Sequence, residues 1–240
     1  MLQACLNGAR SREEHPRVPL SPEELARDAV AVRAAGATAL HLHPRGDDGA
    51  ETLDPDPLGR CLEAVREGVP DMPIGVATGA WIAPGGAARL ERIERWRTLP
   101  DYASVNLGEP DHADTMARLR ALGVGIEAGV WNREDAERFV ALPDASGCLR
   151  VLVEMTDDEP ALAEAECRAV LGVLAASAPE VPILLHGEGG SVWAMVREAR
   201  RRGLSTRVGL EDGLTLPDGA AAADNAELVA AARAIGGDFA

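Results

Sequence analysis

The sequence predicts an α/β fold, a single (β/α)8 TIM barrel that occupies residues 1–240 as one domain. Eight short apolar runs alternate with longer amphipathic segments rich in Ala, Arg and Glu along the whole chain. The length of 240 residues is close to that of a typical eight-fold α/β barrel. Polar side chains recur where the apolar runs end, and no linker or change of composition divides the chain.

The eight apolar runs are the predicted strands. Each is short, mostly uncharged and bounded by Gly, Pro or Asp, which is typical of strands buried on both faces. In chain order they are residues 2–7, 38–43, 72–78, 102–107, 124–130, 149–154, 181–186 and 206–210.

The amphipathic segments carry signals for the start and the end of helices. Ser21 precedes a proline and two glutamates, which is a typical helix N-terminus with a capping serine. Asp54-Pro55, Ala83-Pro84 and Glu109-Pro110 indicate three further starts. Helix ends are predicted at Gly36, Gly123 and Gly203, each just before a strand.

An open doubly wound sheet is the alternative fold, since it shares the same alternation of strands and helices. That fold commonly has a glycine-rich phosphate-binding turn after its first strand. Here the first strand is followed by Asn7-Gly8-Ala9-Arg10. The sequence therefore favours the barrel.

The charge of the chain excludes several functions. The net charge is −15, and every basic side chain apart from histidine is an arginine. Binding to nucleic acid or to an anionic membrane needs a basic surface, so neither partner is expected. A Schiff base on lysine is excluded because the chain has no lysine.

Neither the cysteines nor the apolar runs indicate an extracellular or membrane protein. The four cysteines are scattered without CxxC spacing, so we expect small buried side chains and neither a disulfide framework nor a thiolate zinc site. No apolar run approaches the length of a membrane span, and no basic region precedes an apolar stretch at the N-terminus. We expect a cytoplasmic protein.

The second strand ends in His41-Leu42-His43. Side chains at positions i and i+2 of a strand point to the same face, so the two imidazoles share one space. Two neutral imidazoles in this arrangement are natural ligands for a divalent transition metal. The alternative is a pair of histidines that lines a polar cavity without a metal.

The carboxyl ends of barrel strands collect the reactive groups. Closure of the barrel places strand eight beside strand one, so Glu211 can approach His41 and His43 as a third metal ligand. Alternatively Glu211 forms an ion pair with Arg207. A metal ligand and an ion pair are both possible if Glu211 binds the metal and Asp212 pairs with Arg207. The other polar residues at or near strand ends are Asn7, Thr78, Asn106, Glu127, Glu154 and His186.

Several segments resemble the β-keto acid cleavage enzymes (3-keto-5-aminohexanoate cleavage enzyme-like). The His-Leu-His of strand two and Arg207-Val-Gly-Leu-Glu-Asp-Gly-Leu around strand eight are the most specific in combination. The resemblance covers nearly the whole chain. Its other segments are Asn7-Gly-Ala, Pro19-Leu-Ser-Pro-Glu-Glu-Leu, the Ala35-Gly-Ala-Thr-Ala-Leu ahead of His41, Ala103-Ser-Val-Asn-Leu-Gly and Asp224-Asn-Ala-Glu-Leu-Val.

The resemblance implies a metal-dependent barrel, usually with zinc, that condenses a β-keto acid with acetyl-CoA and releases acetoacetate and a new CoA ester. By matching motifs, His41, His43 and Glu211 are the expected metal ligands, with Arg207 and Asp212 as the catalytic pair. Thr78 matches a polar residue of strand three, and Glu127 an acidic residue that helps to select the substrate. From their positions at strand ends, and apart from the resemblance, Asn7, Asn106 and His186 are also expected to bind substrate; for His186 the alternative is a capping or hydrogen-bonded side chain. The resemblance also implies a homo-oligomer, for example a tetramer.

Two segments depart from that resemblance. Arg10 stands where many members have an acid, and His186-Gly187-Glu188 is not the expected end of strand seven, so the substrate and the reaction stay open. The amides of Gly187, Gly189, Gly190 and Ser191 are expected either to cradle a phosphate or simply to form a tight turn. A metal-dependent barrel hydrolase and a non-catalytic binding barrel are the alternative functions.

Overall fold

The computed structural model describes residues 1–82, 86–177 and 180–236. Eight parallel strands form one sheet in the order β7-β6-β5-β4-β3-β2-β1-β8. The strands are β1 Leu2–Cys5, β2 Ala39–Leu42, β3 Ile74–Ala77, β4 Tyr102–Asn106, β5 Gly125–Val130, β6 Arg150–Met155, β7 Ile183–Gly187 and β8 Thr206–Val208. The helices are α1 Pro22–Ala35, α2 Pro55–Gly68, α3 Ala87–Glu94, α4 His112–Ala121, α5 Arg133–Ala141, α6 Pro160–Ser177, α7 Val192–Arg202 and α8 Asn225–Gly236.

The sheet closes between β7 and β8. A parallel bridge joins Leu184 to Ser205, and the Leu185 amide donates to the Ser205 carbonyl at 2.9 Å. The Thr206 hydroxyl donates to the Leu185 carbonyl at 2.7 Å across the same seam. The predicted (β/α)8 TIM barrel is confirmed, and the open doubly wound sheet is wrong.

All eight predicted strands are present, with small differences at their ends. One of them bears on the site: β8 stops at Val208 rather than at residue 210. Gly209 then passes so close to β1 that a Cβ there would lie 1.8 Å from the Cys5 carbonyl oxygen. The chain therefore turns out of the sheet before Glu211.

The helix ends mostly follow the local signals. Ser21 caps α1 and forms a reciprocal capping box with Glu24, while Gly36 ends the helix with a φ of 114°. The helix α4 begins at His112, two residues after the predicted proline. The start predicted at residues 83–84 lies outside the described residues, and α3 begins at Ala87.

The interior of the barrel holds a buried polar network, which we call the floor, of Gln3, Tyr102, Glu127 and Arg150. The Gln3 amide donates to the Tyr102 hydroxyl at 2.9 Å and to Glu127 at 3.0 Å. Arg150 pairs with Glu127 and lies 4.5 Å from the centre of the Tyr102 ring. The negative charge of Glu127 and the positive charge of Arg150 therefore compensate each other within the floor.

The apolar core lies between the strands and the helices, and the four cysteines are buried and free within the barrel and this core. The helices of the described residues include none with both the length and the apolar character that a membrane span requires.

Asn225 joins three parts of the barrel. Its side-chain oxygen accepts from the Leu210 amide at 2.6 Å, and its amide donates to the Leu6 carbonyl at 2.7 Å and to Asp28 at 2.6 Å. The side chain is fully buried at the first residue of α8. It fixes the segments that follow β1 and β8, which lead into the site described below.

We predict that Asn225→Ala lowers the free energy of unfolding by about 2–4 kcal/mol, because it leaves a buried N–H and a buried carbonyl without partners. Urea unfolding measures the loss. Asn132→Ala is the control, since it removes only the exposed cap of α5 and should cost about 1 kcal/mol. Equal losses in the two variants would contradict this role of Asn225.

Candidate metal centre

His41 lies on β2 and His43 follows the last residue of that strand. Both rings are buried, and their Nε2 atoms are 3.2 Å apart. The ring centres are separated by 5.2 Å with an angle of 73° between the planes. The strand period therefore brings both imidazoles into one space, as the sequence predicted.

Glu211 completes a triangle of ligand atoms. Its Oε1 lies 3.4 Å from His43 Nε2 and 3.9 Å from His41 Nε2. Ligands that bind one tetrahedral zinc ion at about 2.0–2.1 Å are separated by about 3.3 Å, which is close to these distances. Glu211 Oε2 is buried without a hydrogen-bond partner. The residues present therefore fit a divalent cation.

Within the described residues, His41, His43 and Glu211 form the group of three whose geometry suits a metal ion. Gly8 makes room for the Glu211 side chain. It has a φ of +52°, and a Cβ at this position would lie 2.5 Å from Glu211 Cγ. A side chain there would displace the carboxylate, so this glycine is required both for the turn and for the approach.

The three residues have strongly shifted pKa values. Burial lowers the pKa of His41 well below its usual value. Burial acts in the same direction on His43, but the carboxylates of Glu211 and Glu51 outweigh it and raise the pKa of His43 to about 9. Burial opposes ionisation of Glu211, yet Arg207 and His43 hold its pKa well below the usual range. Glu211 is therefore a carboxylate, as metal binding requires.

Arg207 bridges Glu211 and Asp212, with one guanidinium nitrogen 2.9 Å from an oxygen of each. The ion pair considered for Glu211 is therefore present and is shared with Asp212, while metal binding by Glu211 stays a prediction. Asp212 is fully buried and accepts a hydrogen bond from the Cys5 thiol at 2.6 Å. Burial raises the pKa of Asp212 despite Arg207, and burial with Asp212 raises the pKa of Cys5 well above its usual value.

A cavity of about 470 Å³ opens above these groups. It is large enough for a small organic acid and part of a second ligand. Its wall combines both histidines with charged and aromatic side chains. The lining residues are Gly8, Ala9, Arg10, Glu14, His41, His43, Ala77, Trp81, Ser104, Asn106, Trp131, Leu152, Glu154, Glu188, Arg207 and Glu211.

Among the five residues expected to bind substrate, Asn106 lines this cavity. Asn7 is fully buried and forms two hydrogen bonds with the backbone of His43, at 2.8 and 2.9 Å. The Thr78 hydroxyl donates to the Ser104 carbonyl at 2.6 Å. Glu127 belongs to the floor, and its Oε2 lies 4.0 Å from His41 Nδ1.

His186, the fifth of these residues, is fully buried on β7 and does not line the cavity. Its Nε2 is 3.2 Å from Glu154, and its Nδ1 is 3.6 Å from Asp212. Burial, followed by Arg207, lowers the pKa of His186 to about 4, so the ring is neutral. Burial and the neighbouring Glu154 raise the pKa of Glu188 to about 7.

The glycine-rich turn after β7 has its amides occupied by protein oxygens. The Gly190 amide donates to the Asp158 carboxylate at 2.9 Å, and the Gly189 amide donates to the Asp212 carbonyl at 2.8 Å. An acidic side chain stands where a phosphate would need to bind. The structure therefore favours the tight turn over the phosphate cradle.

Glu51 was not expected at the site. Its Oε1 contacts His43 Nδ1, and Trp81 Nε1 donates to the same oxygen at 3.4 Å. Glu51 lies in the connection between β2 and α2, where neither a strand nor a helix pattern indicates which way a side chain points. The only signal was a carboxylate eight residues after His43.

The comparisons with known proteins agree with this geometry. The beta-keto acid cleavage enzyme family matches residues 1–239. A 3-keto-5-aminohexanoate cleavage enzyme of Fusobacterium nucleatum is 30% identical over 95% of this chain and 88% of its own length. A 3-oxoadipate:acetyl-CoA acetyltransferase of Cupriavidus necator is 28% identical over 98% of this chain and 87% of its own length.

Among solved structures, the apo structure of ObcA matches with a TM-score of 0.77 and 20% identity. The match covers 91% of this chain and 61% of that one. At this identity the likeness shows the shared barrel fold.

We predict that Gly8→Ala weakens the binding of Co²⁺, because the new Cβ pushes Glu211 away from the histidines. The control is Gly219→Ala, since Gly219 also has a positive φ, +88°, but no atom within 4 Å of an added Cβ. Both variants should lose roughly 1 kcal/mol of stability through backbone strain. Titration with Co²⁺ should show a loss of affinity in Gly8→Ala alone, and equal affinities would contradict the packing argument.

Proposed function

Because this chain belongs to the beta-keto acid cleavage enzyme family, we propose that it is a metal-dependent enzyme that transfers a β-keto acid's acyl group to CoA. The reaction consumes a β-keto acid and acetyl-CoA and gives acetoacetate and a new CoA ester. The observation that carries the proposal is the triangle of His41, His43 and Glu211 beside the Arg207–Asp212 pair. Both lie at the carboxyl ends of the strands, where barrel enzymes have their active sites.

A divalent ion held by His41, His43 and Glu211 would act as a Lewis acid on the ketone of the substrate. Three protein ligands leave coordination positions open, which a catalytic site requires. The ion that we propose is zinc. Glu211 itself contributes a negative charge that is fixed in place by Arg207.

Arg207 lines the cavity, and Asp212 lies directly behind it. We assign Asp212 the role of general base that takes a proton from the carbon next to the ketone, which creates the nucleophile for acetyl-CoA. Burial raises the pKa of Asp212, which makes its carboxylate a stronger base. Arg207 and the Cys5 thiol hold the two carboxyl oxygens in place meanwhile.

The remaining predicted residues take supporting roles in this proposal. Asn106 offers its side chain to the substrate from the cavity wall. Asn7 fixes the backbone of His43, and Thr78 fixes the carbonyl of Ser104, a residue of the wall. Glu127 places a carboxylate oxygen 4.0 Å from His41 in the floor, and the neutral His186 ring lies between Glu154 and Asp212.

The names of the two relatives describe different keto acids, one with an amino group and one with a second carboxylate. The family therefore leaves the side chain of the keto acid open, and this cavity carries both arginines and glutamates. A cytoplasmic location, a homo-oligomer with a tetramer as one form, and a single catalytic domain over residues 1–240 remain parts of the proposal.

A metal-dependent hydrolase and a non-catalytic barrel remain the alternatives. Barrel hydrolases commonly gather further histidines around the metal, whereas the third barrel histidine here, His186, faces Glu154 and Asp212 instead. Mass spectrometry of the CoA products, over acidic, basic and branched β-keto acids, separates the three cases. We expect CoA esters; release of the acids alone would indicate a hydrolase, and no turnover would indicate a binding protein.

We predict that Asp212→Asn lowers kcat by about a hundredfold to ten-thousandfold, because the amide has the same shape but cannot accept the proton. The metal content should stay unchanged, since Asp212 is not a ligand in this account. Asp28→Asn is the control, because it removes a half-buried carboxyl between α1 and α8, away from the cavity. Full turnover by Asp212→Asn would show that another group is the base.

A further inference from the structure

We propose that Glu51 is a positioning residue that aligns His43 for metal binding. The inference rests on the proposed metal site and adds to it a carboxylate from the connection between β2 and α2. Glu51 Oε1 contacts Nδ1 of His43, while Nε2 of the same ring faces Glu211 at 3.4 Å. The two nitrogens of one imidazole thus have separate partners.

The contact with Glu51 determines which nitrogen can bind a cation. A carboxylate beside Nδ1 keeps a proton on that nitrogen, so Nε2 is the nitrogen that gives up its proton and offers its lone pair to a cation. It also fixes the rotation of the ring about χ2 and makes the imidazole a stronger electron donor. Without the carboxylate, the ring could rotate and either tautomer could form.

Glu51 is itself held firmly. Its side chain is 11% exposed, and the Trp81 indole donates to the oxygen that contacts His43. An antiparallel bridge joins Glu51 to Arg45. The segment 45–51 also closes on itself through the Gly46 amide and the Ala50 carbonyl at 2.8 Å.

Arg45 extends this support across the mouth of the barrel. Its guanidinium donates to the Gly8 carbonyl and, at 3.1 Å, to the Arg10 carbonyl. Gly8 is the residue that packs against Glu211. Hydrogen bonds from Arg45 therefore connect the segment 45–51, which contains Glu51, to the segment 8–10, which contacts Glu211.

His41 lacks an equivalent contact. Its Nδ1 has no hydrogen-bond partner, and the nearest carboxylate, Glu127, stands 4.0 Å away with that oxygen also unpaired. Glu127 is already bound by Gln3 and Arg150 in the floor. Of the two histidines, His43 is the one that a carboxylate already orients, so Glu51 should have a measurable effect on affinity.

The test is the affinity of the full chain for Co²⁺, measured by competition with a chelator. We expect Glu51→Gln to weaken binding by about tenfold and Glu51→Ala by up to about a hundredfold, since glutamine keeps an acceptor but loses the charge. The control is Asp47→Asn, which removes the same charge from the same segment at a side chain that is 97% exposed. It should bind Co²⁺ within about twofold of the unmodified chain.

Thermal unfolding of the metal-free variants separates alignment from folding. Without metal, both Glu51→Gln and Asp47→Asn should unfold in one cooperative transition well above the temperature of the titration, while only Glu51→Gln loses affinity. Equal Co²⁺ affinities of Glu51→Gln and Asp47→Asn would overturn the inference. If Glu51→Ala fails to fold, the affinity of Glu51→Gln is sufficient for the test.

Glu211→Gln distinguishes failure of this inference from failure of the proposed function. Loss of Co²⁺ binding in Glu211→Gln supports the metal site whatever Glu51 does. Unchanged binding in Glu211→Gln would overturn the site itself, and with it the role of Glu51.

Discussion

The pairing of β1 with β2 on one side and with β8 on the other is the constraint on which the site depends. Cys5 lies opposite His41, and Ala4 lies opposite Val208, so the histidines and Glu211 come from strands separated only by β1. The side-chain period of a strand is two, so a slip of one residue would turn His41 toward the helices. The same register brings Cys5 to Asp212. Closure of the barrel therefore brings Glu211 to the two histidines of the local His-Leu-His motif.

Electrostatics explains why these groups tolerate burial together. Arg207 is 2% exposed and faces Glu211, Asp212 and, at 4.0 Å, Glu154. One guanidinium cannot fully compensate three buried carboxyl groups, and the pKa of Asp212 and that of Glu154 are raised mainly by burial. A divalent cation among His41, His43 and Glu211 would supply the missing positive charge. The floor contributes no net charge to this balance, since Arg150 and Glu127 neutralise each other.

The sequence was sufficient for the fold because strand burial and helix caps are local signals. It also indicated His41, His43 and Glu211, since the period of a strand and the closure of a barrel are general rules. The depth of a side chain along the barrel axis depends on strand register and cannot be read from the local sequence. Gln3, Tyr102 and Arg150 were therefore not expected to form a floor beneath His41. Glu51 could not be found either, because its position depends on a loop held by Arg45. The backbone contacts of Asn7 show the same limit: the residue was found, but the atoms it touches were not.

Anomalous diffraction from crystals of the metal-loaded protein tests the central claim most directly. The account predicts one strong peak about 2.0–2.2 Å from Nε2 of His41, Nε2 of His43 and an oxygen of Glu211. A peak bound elsewhere, for example at a cysteine sulfur, or a Glu211 carboxylate beyond bonding distance of the ion would contradict it.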